Sequence, residues 1–317
     1  MDFSLNEDQR AIQDMARSFT ADMITPHAEA WDEQKIWPTD VAKAAGELGF
    51  GSIYVSEEAG GCALSRVESV LIFEQLAMGC PSTAAMISIH NMATWMLASY
   101  GQASVKETWL PELVSGNKLT SYCLTEPGAG SDAASLITKA ERQGEQYVLS
   151  GSKVFISGAG STDLLIVMAH TANNGAKGIS AFAVPADTAG ISYGKPEEKM
   201  GWNSQPTATV TFDNVRVPAG NRLGDEGQGF RIAMQGLDGG RINIATCSIG
   251  TAQAALETAT AYVKEREQFG QAIADFQNTQ FTLADMATQL VAARQMVRLA
   301  AFKLDTGHPE ASSYCAM

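Results

Sequence analysis

The hydrophobic period of this chain changes twice, and no other feature restricts its fold as much. Up to residue 119, apolar side chains recur every third or fourth position, as they must on one face of a helix. From 120 to 226 they alternate along short runs punctuated by Gly, Asn and Pro, and from 227 the helical spacing returns. Strands that are not interleaved with helices predict an α+β fold. It comprises an N-terminal α-domain over 1–119, a central antiparallel β-domain over 120–226 and a C-terminal helical bundle over 227–317.

Local signals place the elements. Asn6 followed three residues later by Gln9 is a capping-box start, and Ile12, Met15, Phe19 and Met23 then share a face until Pro26. Ser65 with Glu68 opens a second helix that ends near Gly79. Pro81 stands where a first-turn proline is tolerated, and the next helix runs to Tyr100. Strands are expected at 120–124, 137–142, 147–149, 153–157, 164–169, 179–184 and 208–215. Two long helices follow, 230–263 and 278–304, the second with Leu283, Leu290, Val297 and Leu304 in a stripe that requires a partner helix. A further helix begins after Pro309 and reaches Met317 within about two turns, so the bundle is expected to be incomplete, truncated at its C-terminal end.

Lys and Arg number 22 against 35 Asp and Glu, a net charge of −13 over 317 residues. That balance argues against a nucleic-acid binder, whose contacts to phosphate require a basic face. Five scattered Cys without C-x-x-C and four His without H-E-x-x-H indicate neither a disulfide framework nor a metal site. No apolar run approaches the ~18 residues of a membrane span, and the acidic start MDFSLNEDQR is not a secretory signal. A cytoplasmic protein is expected, or a mitochondrial-matrix protein whose presequence has been removed.

Gly128, Gly130 and Ala133 satisfy G-x-G-x-x-A, the dinucleotide fingerprint, but such a turn must open a helix toward the pyrophosphate. Here a hairpin is expected, Lys139 to Glu141 turning at Gly144 into 146–149, so a nicotinamide site is rejected. The longer run Tyr122, Cys123, Leu124, Thr125, Glu126, Pro127, Gly128, Ala129, Gly130, Ser131 and Asp132 is a strand entering a loop of small residues. Its N–H groups and hydroxyls suit a flat ring followed by a phosphate. This run resembles the flavin segment Y-x-x-T-E-P-x-x-G-S-D of the acyl-CoA dehydrogenase family.

Other segments resemble that family in the same order. Phe155, Ile156 and Ser157 look like its second flavin segment, and Asp238, Gly239, Gly240 and Arg241 like its acyl-CoA contact, to which Ser131 also contributes. Arg266, Gln268, Phe269 and Gly270 resemble its R-x-Q-F-G element, whose arginine serves the FAD of a neighbouring subunit. Phe276 and Gln277 align with further FAD contacts. Gly239 and Gly240 each cost about 1 kcal/mol relative to Ala in a helix interior. Either a ligand or a tightly packed helix therefore approaches the backbone there.

The resemblance implies FAD as cofactor, an acyl-CoA substrate, electron-transferring flavoprotein as electron acceptor, and a homo-oligomer, tetramer or dimer. The reaction would be α,β-dehydrogenation of the thioester. The combination F-I-S-G-A-G, G-W-N-S-Q-P and G-G-R-I-N-I-A is most similar to the branch acting on isobutyryl-CoA, a short branched substrate. The family's base is a glutamate near the end of the helical domain; in some members it stands just before the arginine, where this sequence has Gly240. Glu257, Glu265, Glu267, Asp275, Asp285, Asp305 and Glu310 read as surface or turn charges, so no catalytic base is expected within these residues. A noncatalytic homologue that keeps the fold and binds FAD or CoA is the alternative.

Overall fold

Both capping boxes form. In the computed structural model, which describes residues 4–317, Asn6 and Gln9 exchange side-chain and backbone hydrogen bonds (2.8 and 3.2 Å) at the start of α1 (Glu7–Phe19). The helix then passes into a π-helical turn, Thr20–Ile24, before Pro26. Helices α2 (Ala28–Gln34) and α3 (Thr39–Glu47) lead to α4 (Arg66–Gly79), which the Ser65/Glu68 box opens. Pro81 is the first residue of α5 (Pro81–Tyr100), and α6 (Ala103–Val114) closes the helical third.

The β-region holds β1 (Thr120–Cys123), β2 (Lys139–Gln143), β3 (Gln146–Ser157), β4 (Leu164–His170), β5 (Ile179–Pro185), β6 (Ile191–Tyr193), β7 (Thr207–Pro218) and β8 (Arg222–Leu223). They form one sheet in the order β6-β7-β3-β2-β4-β5-β8, with β1 beside β4. The sheet is mixed and not wholly antiparallel as expected: β1 runs parallel to β4, Thr120 opposite Leu164 and Cys123 opposite Val167. Nothing in a strand's own composition selects the direction of its neighbour, which is set by the chain's route between them. The separate strands expected at 147–149 and 153–157 are one strand, β3. It continues through Gly151, where a Cβ would lie 2.4 Å from Thr138 Oγ1.

Helix α7 (Gly229–Glu265), a short hairpin of β9 (Glu267–Gln268) and β10 (Gln271–Ala272), α8 (Gln277–Asp305) and α9 (Ala311–Ala316) follow. Spatially the protein forms two units, one of residues up to Ala28, Ser65–Ala85 and Arg241–Met317, the other of Glu29–Leu64 and Met86–Gly240.

In the second unit both faces of the sheet are covered. Leu164, Ile166 and Met168 pack with Met92, Met96, Leu110, Leu113 and Ile232 of the helices, while Leu165, Val167 and Ala169 pack with Tyr147, Leu149, Phe212 and Val215. This accounts for the unbroken apolar run of β4, since a strand buried on both sides has no polar face.

In the first unit, Val297 and Leu304 from the α8 stripe meet Val70, Ile242, Ala300 and Ala301, so this half of the stripe finds its partners on α4 and α7. Asp305 accepts from the Arg66 and Val67 N–H groups at 2.8 and 3.2 Å, capping α4 from the far end of α8. The opposite side of α8 exposes Phe281, Val291, Leu299 and Phe302, a second apolar face that the heptad stripe does not include.

Candidate functional site

The small-residue loop leaves β1 in a tight turn: Glu126 and Ala129 exchange backbone hydrogen bonds (3.1 and 3.0 Å) around Pro127 and Gly128. A Cβ at Gly128 or Gly130 would meet no atom within 4 Å, and neither residue has positive φ. These glycines are thus demanded neither by backbone conformation nor by protein packing, which leaves the backbone accessible to a ligand. Beyond Ser131, a 3-10 turn (Ala133–Ser135) and the β2–β3 hairpin at Gly144 follow, and no helix opens at Gly130.

The loop sits directly against β3. Val154 N–H donates to the Thr125 carbonyl at 2.9 Å, and the Lys153 ammonium donates to the Leu124 carbonyl at 2.9 Å and to Glu126 Oε1 at 2.7 Å. Lys153 and Glu126 are 0% and 2% exposed in their side chains. Burial pushes the Glu126 carboxyl up, but the Ile137 N–H, Lys153 and Thr138 N–H outweigh it and hold the group below the usual carboxylate range. For Lys153 burial dominates and lowers the ammonium's pKa despite Glu126.

The same stretch carries a bulge. Pairing with β7 shifts register between Lys153 and Ile156, so that both residues point inward and Phe155 between them turns out, at φ +57° and 64% exposed. In a regular strand Phe155 would share the face of Lys153. A left-handed backbone at a non-glycine residue costs on the order of 1–2 kcal/mol, so an exposed aromatic held there is strained without compensation from its own burial.

The expected flavin residues divide by orientation. Cys123, Leu124, Glu126, Ala129 and Ile156 bury their side chains, leaving only backbone for a ligand; burial pushes the Cys123 thiol up to about 12. Thr125 and Ser157 are half-buried, whereas Pro127, Gly128, Gly130 and Ser131 are exposed. Tyr122 is half-buried with its hydroxyl shut from solvent and without a hydrogen-bond partner, and burial raises its phenol well above the usual range.

On α7, Gly239 is buried, Asp238 and Gly240 are half-buried and Arg241 is exposed. A Cβ at Gly240 would lie 3.3 Å from Met92 Sδ, so helix packing is the close neighbour there. Gly236, not singled out from the sequence, is tighter: its Cβ would lie 2.1 Å from Met96 Cε.

In the first unit Arg266, Gln268, Phe269, Phe276 and Gln277 gather at the β9–β10 hairpin. Phe269 (φ +55°) and Gly270 (φ +78°) form its turn, the double left-handed geometry of a two-residue hairpin. Phe269 is 95% exposed and stands edge-to-face with Phe276, ring centres 6.4 Å apart. Gln268 donates its side-chain amide to the Glu267 carbonyl, and the Arg266 carbonyl accepts from Ile273 N–H. Among the described residues no group of three or more His, Cys, Asp or Glu is placed to hold a metal, and no helix is long and apolar enough to cross a membrane.

Comparison with known proteins covers nearly the whole sequence. Residues 6–117, 121–215 and 227–317 match the N-terminal, middle and C-terminal domains described for acyl-CoA dehydrogenases. Isobutyryl-CoA dehydrogenases, mitochondrial, of Bos taurus and Dictyostelium discoideum are 49% and 52% identical, each over 99% of this chain and over 75% and 76% of their own length. Among solved structures, one from work described as the electron transferring flavoprotein of Acidaminococcus fermentans superposes with a TM-score of 0.96 at 40% identity. One described as PigA with FAD and proline gives 0.95 at 31%. Each comparison covers 100% of this chain and 84% of the other.

Proposed function

The chain belongs to the acyl-CoA dehydrogenase family, and on that footing we propose that it binds FAD against Tyr122–Ser131 and Phe155–Ser157 for dehydrogenation of a short branched acyl-CoA, isobutyryl-CoA. The observation that carries this reading is the junction of the two segments: Val154 and Lys153 bind the carbonyls of Thr125 and Leu124. Four features fit a flat, partly apolar ring with a phosphate tail. They are the partnerless Tyr122 hydroxyl, the two open glycines, the exposed Ser131 and the outward Phe155. Bound FAD would accept the hydrogen leaving the acyl β-carbon as hydride.

The protein's own residues would bind and orient. Pro127 to Ser131 offer backbone and hydroxyl to the cofactor, Phe155 an aromatic face beside the ring, and Ser131 with Asp238 to Gly240 contacts for the acyl-CoA. Removal of the α-proton needs a carboxylate in a dry pocket with a raised pKa. Glu257, Glu265, Glu267, Asp275, Asp285, Asp305 and Glu310 are all exposed, and Glu74, which is buried, is paired with Arg294 at 2.8 Å. None is suited to the task, so these residues are proposed to bind without supplying the base.

Electron-transferring flavoprotein is the proposed electron acceptor, and the exposed hairpin at Phe269 supports a homo-oligomer in which it reaches a neighbouring subunit. The test is spectroscopic: residues 1–317 with FAD turn yellow, and isobutyryl-CoA shifts the flavin bands anaerobically without bleaching them at an enzymatic rate. Failure to take up FAD refutes the cofactor site, and fast bleaching refutes the missing base.

A further inference from the structure

A buried pair of opposite charges lies behind the candidate flavin site, and the reaction does not call for it. Besides Lys153 Nζ at 2.7 Å, the Glu126 carboxylate takes the Thr138 N–H at 3.0 Å and the Ile137 N–H at 2.6 Å. Lys153 also holds the Leu124 carbonyl. One knot thus ties the glycine loop, the segment entering β2 and the strand carrying Phe155.

Apolar packing would hold these stretches together without dictating their register, because it is non-directional. Charge-assisted hydrogen bonds are short and directional. A buried ion pair adds little net stability over an apolar pair of similar volume, so its contribution here is sought in geometry. The position of the pair matters. Lys153 is the last inward residue before the bulge and Ile156 the first after it; with both held inside and Val154 bound to Thr125, Phe155 is left facing out.

Resting on the FAD reading above, we propose that Lys153 and Glu126 are positioning residues of the flavin site. Their ion pair locks the 124–131 loop against the 153–157 strand and holds Phe155 outward, so that the FAD-binding surface is preformed in the apoprotein. Preorganisation of this kind raises affinity by removing the ordering that binding would otherwise impose.

Lys153→Met alone strands a buried carboxylate and can unfold the protein, so the deciding variant combines Lys153→Met with Glu126→Gln, removing both charges at similar volume. Val217→Ala, a truncation in the buried core of β7 opposite Tyr147 and away from the Val210 position that pairs with Lys153, serves as the control for thermal destabilisation. FAD is titrated into each apoprotein, and fluorescence quenching, apoprotein melting temperature and the visible band of the bound flavin are recorded. The double variant is expected to bind FAD about 10- to 100-fold more weakly, the range for outer groups that orient a binding shell. Its bound flavin band loses fine structure, whereas Val217→Ala keeps both affinity and band. A double variant with wild-type affinity and band overturns the proposal, as does a Val217→Ala protein weakened to the same degree. Wild-type protein that takes up no FAD sinks the functional reading and this inference together, before any variant is made.

Discussion

His90 gives the protein a calculable acid sensitivity. It is 2% exposed on α5, where one ring nitrogen, Nε2, lies 2.9 Å from the Leu113 carbonyl and the other, Nδ1, lies 3.2 Å from the Thr120 N–H. The partners assign the tautomer: Nε2 carries the proton and donates to the carbonyl, while Nδ1 accepts from the amide. Protonation would place a second N–H against the Thr120 N–H in a dry site. Burial accordingly lowers the pKa to about 4, against the opposing pull of Leu113 and Asp163. In the unfolded chain the imidazole titrates near 6.5. The folded value is the depressed one, so stability is full above about pH 6.5, falls as the unfolded state takes up the proton first, and levels off below about pH 4. Across that window the loss is about 3 kcal/mol.

The assay is urea unfolding of wild type and His90→Gln at intervals from about pH 7 to about pH 4. Gln can donate to Leu113 and accept from Thr120 without titrating, so on acidification wild type is expected to lose about 3 kcal/mol more stability than the variant. Parallel curves would show that His90 does not carry the acid sensitivity, and a directly measured His90 pKa near 6.5 would refute the burial reasoning.

Two further substitutions probe the site and its support. Phe155→Asn keeps a residue that tolerates left-handed φ while removing an exposed ring, so apoprotein stability changes by less than about 1 kcal/mol while FAD affinity falls; equal FAD affinity would leave Phe155 without a role at the flavin. Arg294→Met leaves Glu74 buried without its 2.8 Å partner and lowers stability by about 3–5 kcal/mol, most of it regained when Glu74→Leu is added; a thermal melt of the single variant close to wild type contradicts this.

The sequence was legible where the determining physics is local. Capping boxes at Asn6/Gln9 and Ser65/Glu68, the first-turn Pro81 and the hairpin at Gly144 each depend on neighbours a few residues away, and each formed. The run Tyr122–Asp132 was likewise readable as a strand entering a small-residue loop, and the rejection of a dinucleotide helix at Gly130 agrees with the turn and hairpin that follow. The tertiary structure alone decided what depends on residues far apart. The parallel pairing of β1 with β4 joins positions whose own composition states no direction. Phe155 faces out because a bulge against β7 breaks the alternation that would have buried it, and Lys153 is buried because Glu126, 27 residues away, meets it there. Turn chemistry and hydrophobic period are properties of a short stretch of sequence, whereas strand direction, bulges and the pairing of buried charges are settled only when distant stretches compete for the same interior.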